Sequence, residues 1–106
     1  MSRKKEQLWI GTAHVEQSHR DGVLGDADEA FVNVIALATD KADFRRQVKR
    51  GVESLELALR QLNDAEPLEH RLSKHSIVED LSKLARRVQR TGKIAFDVFC
   101  TFDHGS

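Results

Sequence analysis

The sequence predicts an α+β fold, a two-layer sandwich of one four-stranded sheet in the order β-β-α-β-α-β with two helices on one face. Three observations point there. Gln7–Glu16 and Phe31–Ala38 read as strands, two later stretches repeat apolar residues at helical spacing behind capping residues, and Lys93–Asp103 alternates again. The 106 residues, 40% hydrophobic and 32% charged, form a single domain 1–106 large enough for one core.

Gln7–Glu16 places Trp9, Gly11, Ala13 and Val15 on one parity and Leu8, Ile10, Thr12 and His14 on the other, the alternation of a strand. Gln17–Ala30 is polar and acidic, with Asp21, Asp26, Asp28, Glu29, Gly22 and Gly25, and reads as a loop. Phe31–Ala38 is almost continuously apolar and rich in β-branched residues, which suits a strand covered on both faces. Thr39 or Asp40 then caps a helix, with Asp43 in its first turn and Phe44, Val48, Val52 and Leu55 along one stripe.

Residues 52–62 can be read two ways. Leu59 and Leu62 continue the helical stripe, but a helix from Asp40 to Leu62 would run about 35 Å. That overhangs a domain whose radius of gyration is about 13 Å, and Gly51 weakens such a helix. We therefore end the helix near Ser54 and place a strand over Glu56–Leu62. Asn63–His75, with the single proline Pro67, is expected to be a turn or short helical loop. Ser76-Ile-Val-Glu79 is a capping-box pattern; Ile77, Leu81, Leu84 and Val88 form the stripe behind it, and Gly92 stands at the C-terminal cap. In Lys93–Asp103, alternation puts Ile94, Phe96, Val98, Cys100 and Phe102 on the helix-facing side, with Phe99 outside.

Seventeen basic residues balance seventeen acidic ones, so overall charge gives no pull toward nucleic acid or an anionic membrane. One cysteine cannot form an internal disulfide, no apolar run approaches the roughly 18 residues of a membrane span, and Met-Ser-Arg-Lys-Lys-Glu lacks the apolar stretch of a signal peptide. A cytoplasmic protein is expected.

Sites with chemistry are hard to find. His14 and His19, and His70 and His75, are five apart, and Cys100 lies four before His104; none of these is a zinc spacing, so no metal is expected. Asp26-Ala-Asp28 is a fragment of a calcium loop that fails at Ala30, and no glycine array cradles a nucleotide, so no cofactor is expected. Cys100 reads as a buried structural cysteine. An enzyme is not favoured; its site would lie among the polar strand residues His14, Asp97, Thr101 and Asp103. Basic residues group along both helices, and Arg46, Arg50, Arg86 and Arg90 would form a nucleic-acid patch if those helices shared a face. Two solvated helix faces are the preferred reading.

With both helices on one side, the other sheet face of a monomer should be polar, and the sequence does not supply that polarity. A homodimer or protein partner covering this face is expected, with Trp9, Asp97, Phe99 and Thr101 as the binding residues and Phe99 near the centre. The expected function is a small cytosolic, non-catalytic protein that self-associates or binds another protein through its sheet. An antidote or immunity-type role is one form of this that size and mixed charge permit but do not indicate; an acidic surface patch around Asp21–Glu29 would support it. The alternatives are a nucleic-acid-binding module and a small enzyme.

Overall fold

A computed structural model describes residues 5–18, 22–74 and 79–102. Strands β1 (Gln7–Gln17) and β2 (Glu29–Ala38) form an antiparallel hairpin in unbroken register, from Gln7 opposite Ala38 to Glu16 opposite Glu29. Helix α1 (Lys41–Ser54), strand β3 (Leu57–Pro67), helices α2 (Leu68–Lys74) and α3 (Glu79–Thr91), and short strands β4 (Ala95–Phe96) and β5 (Cys100–Phe102) follow. The sheet order is β3-β1-β2-β4, and β5 lies beyond β4 along the same edge of β2. Every pairing is antiparallel, and the fold is α+β as expected.

The boundaries of α1 follow from its caps. Asp40 accepts a hydrogen bond from the Asp43 amide at 2.8 Å, and the Asp43 carboxylate accepts one from the Thr39 amide at 2.9 Å. The last turn closes with the amides of Leu55 and Glu56 donating to Val52 and Glu53 at 3.0 Å each. Glu56 then takes a left-handed φ of 62°, which ends the helix and lets β3 begin at Leu57. The helix-to-strand change falls where the length argument put it. The strand itself runs further than expected: within the stretch expected to be a turn or short helical loop, Asn63–Pro67 remains paired to β1 across a register shift, and the short helix α2 follows directly. The capping residue Ser76 and the stripe residue Ile77 lie outside the described residues.

The α1 side of the sheet carries Phe44, Val48 and Val52 packed on Trp9, Ala13, Val15, Val32 and Val34, all buried. Glycines allow this close approach. A side chain at Gly11 would come within 3.0 Å of the Phe44 ring, and one at Gly51 within 2.8 Å of the Phe96 ring. Gly51 weakens the helix but leaves room for Phe96.

The second helix does not share that side. Ile10 and Ile35 stand opposite one another on the other face of the hairpin, and both are covered by Leu68 of α2 and by Leu81, Ala85 and Val88 of α3. This corrects the expected layering, and the reason is in β2. Its two parities are both apolar, so both need cover, and α2 and α3 supply it within the chain. The wide outer patch from which a dimer was expected is therefore largely covered. Arg46 and Arg50 of α1 and Arg86 and Arg90 of α3 are exposed, but on opposite sides of the sheet, so they do not merge into one basic patch. Among the described residues, no helix is long and apolar enough to cross a membrane.

Two predictions follow from the ends of α1. Glu56→Gly removes the steric penalty of a left-handed residue and should stabilise the protein by about 0.5–1 kcal/mol in urea unfolding. A loss of stability would contradict the cap geometry. At the other end, the Thr39 backbone amide holds the Asp43 carboxyl below its ordinary range, outweighing the opposing effect of burial. A carboxyl lowered in the folded state contributes fully above its unfolded value and loses its contribution as acid protonates it. Asp43→Asn should therefore cost roughly 1 kcal/mol near neutrality. That gap should close as the pH falls below about 4, as measured by unfolding across a pH series.

Candidate binding site

Helices α2 and α3 cover only the half of their sheet face that carries Leu8, Ile10, Ile35 and Leu37. Along the hairpin the same face continues as Thr12 opposite Asn33, His14 opposite Phe31, and Glu16 opposite Glu29. These cross-strand rows build the site. The Thr12 hydroxyl donates to Asn33 Oδ1 at 3.0 Å. One row on, His14 Nε2 lies 2.6 Å from Glu29 Oε1; the histidine side chain is 21% exposed and the carboxylate only 3%. The His14, Phe31 and Phe102 rings pack together with centroids 4.9–5.7 Å apart. Glu29 is thus a buried carboxyl group held against an imidazole beside aromatic rings, not part of a solvated acidic loop.

The position of Phe102 and Cys100 depends on a bulge. Phe96 pairs with Val34 and Cys100 with Phe31, so Asp97, Val98 and Phe99 stand against only Val32 and Asn33. The extra residue inverts the alternation of everything after it. Ile94, Phe96 and Phe99 pack toward α1, with Phe96 and Phe99 stacked at 6.3 Å. Cys100 and Phe102 turn to the opposite face, beside Phe31 and Glu29. Two expectations are corrected here: Phe99 does not lie on an outer face, and Cys100 is exposed, not buried in the core.

Between the bulge and the first turn of α3 lies a cleft of about 250 Å³, lined by Thr12, Phe31, Val32, Asn33, Asp80, Asp97, Val98 and Cys100. Its rim is apolar: Phe31 is 41% exposed and Val98 76%. The Asp97 amide donates to the Asn33 carbonyl at 2.9 Å, which fixes the bulge against β2.

Of the four residues expected to bind a partner, Asp97 alone lines this cleft. Trp9 is buried and stacks on Phe44 at 6.0 Å, Phe99 packs on the α1 side, and Thr101 is exposed opposite Ala30. His14, one of the polar strand residues, stands on this face opposite Phe31. Val98, Glu29 and Asp80 carry no signal in the sequence that marks them as site residues. A strict alternation of β4–β5 hides Val98, and Glu29 reads as loop because its partner is fifteen positions away. Asp103, His19, His75, His104 and Asp21 lie outside the described residues.

Two neighbouring features do not enter the site. The acidic loop is organised by Gln17, whose amide group donates to the Gly25 carbonyl at 2.8 Å and accepts from the Leu24 amide at 3.0 Å. Among the described residues, no group of three histidine, cysteine, aspartate or glutamate side chains is placed to hold a metal ion. Comparison with family models, curated proteins and solved structures finds no match for this chain.

The His14–Glu29 contact yields a prediction. Hydrogen bonds to charged groups contribute about 1.5–3 kcal/mol when they exclude water. A double-mutant cycle of His14→Ala and Glu29→Ala, read by urea unfolding at neutral pH, should give a coupling of at least about 1 kcal/mol. Additive single effects would mean that the pair does not hold this face together.

Proposed function

We propose that this chain is a small, non-catalytic binding protein of the cytoplasm that holds a protein partner against the open half of its sheet, at the Phe31–Val98 cleft. One observation carries the reading. An exposed aromatic ring and a largely exposed valine stand together at a cleft, on a face whose other half is packed under two helices. Covering these side chains would remove apolar surface from water, which favours association. The exposed thiol of Cys100 suits a reducing compartment. Self-association through this face belongs to the same reading, with a second copy as the partner.

A small enzyme is the second reading, favoured by the carboxylate-held imidazole of His14. Cys100 is the nucleophile on that face, but Phe31 stands between it and His14, which sets the two strands about 10 Å apart. No hydrogen bond joins them among the described residues.

The test places a photo-crosslinking amino acid at position 98 and, as a control, at position 46 on α1, in cells of the native host. The reading expects a discrete adduct from position 98 that disappears with Phe31→Asp and does not form from position 46. An adduct equal to this protein's dimer would identify a second copy as the partner. No adduct from position 98, with a 12 kDa monomer by light scattering at micromolar concentration, would overturn it.

A further inference from the structure

The rim of the cleft is apolar at Phe31 and Val98, but two of its lining residues, Asp80 and Asp97, are carboxylates. We propose that the cleft receives an arginine or lysine side chain of a protein partner. This rests on the reading of the cleft as a docking surface and adds the chemistry of what enters it.

Charge complementarity selects the occupant. Among the described residues, neither aspartate takes part in an ion pair within the chain. Lys83, one turn beyond Asp80 on α3, is directed to Glu79 at 3.8 Å. Two carboxylates that pair with no cation among the described residues line one cavity, which repels an anionic ligand and favours a cation. The apolar rim narrows the choice. A long cationic side chain lays its methylene stem on apolar surface and keeps its charge at the polar end, which matches Val98 and Phe31 beside Asp80 and Asp97. A cation over the face of an exposed ring gains further attraction, and a planar guanidinium stacks there best. On the floor, the Thr12 hydroxyl spends its proton on Asn33 and keeps its oxygen lone pairs for a donor. The volume, about 250 Å³, is below the usual range of about 300–1,000 Å³ for sites that enclose a free drug-sized molecule. It suits one side chain delivered by a larger surface.

The test is an amide NMR titration of the whole protein with N-acetyl-arginine methylamide, alongside the neutral citrulline analogue. The proposal expects saturable shifts confined to residues around Phe31, Asn33, Asp80 and Asp97, with a millimolar Kd for the arginine probe and at least ten-fold weaker binding of citrulline. Asp97→Asn and, separately, Asp80→Asn should each weaken the arginine response several-fold, the same spectra showing that each variant is folded. Shifts scattered over the surface, equal responses to the two probes, or full binding by both variants would overturn it. These outcomes are separable from failure of the docking reading. If position 98 still crosslinks a partner while the arginine probe binds nowhere near the cleft, the docking surface stands and its cationic occupant does not.

Discussion

Water must be kept from both faces of β2, and the rest of the molecule is arranged around that requirement. Val32, Val34 and Ala36 of this strand face α1, while Ile35 and Leu37 face α2 and α3. Burying one valine, leucine or isoleucine side chain contributes about 1.5–3 kcal/mol. Several such side chains on each face justify a helix on each. Helix α2 illustrates the dependence: at seven residues it is too short to persist alone, and Leu68 anchors it over Ile10 and Ile35. The unbroken β1–β2 register transmits the constraint, because a slip of one residue would exchange the two sets.

The cover on the second side stops after two cross-strand rows, and the chemistry of the chain changes there. Beyond Ile10 and Ile35 come Thr12 with Asn33 and His14 with Phe31, residues that tolerate partial contact with water. The only deeply buried ionisable side chain on this half, among the described residues, is Glu29, and His14 lies 2.6 Å from it. Such a pair is costly to break and resists rearrangement, so it gives the aromatic rings beside it a fixed support. The bulge completes the surface by turning Phe102 toward those rings and leaving Val98 outside.

Much of this fold is legible in the sequence because its signals are local. The Asp40 cap, the stripe of Phe44, Val48 and Val52, and the apolar run of β2 each declare themselves within a few residues. The limit on helix length even separates α1 from β3 without any view of Glu56. What escapes is decided at a distance. The side of the sheet that α3 takes depends on which face α1 has already filled, although the double-faced composition of β2 holds the clue. The bulge at Asp97–Phe99 is a mismatch between three residues on one strand and two on another, and alternation along one strand cannot reveal it. It displaced Phe99 and Cys100 together. Gly51 taught the same lesson in reverse: a defect by helix propensity, it is space for a ring forty-five positions later.

The far margin of the sheet has a consequence of its own. Strand β3 pairs with β1 on one side and with no other described strand on the other. An eleven-residue row of free amides and carbonyls would template the addition of further strands, and so the growth of fibres. Here the row is interrupted. Two register shifts bend it, Asp64 takes a left-handed φ of 55°, the Asp64 carbonyl is occupied by Arg71 at 2.8 Å, and Pro67 offers no amide. Along the segment where the backbone would otherwise invite it, these interruptions disfavour the addition of another strand.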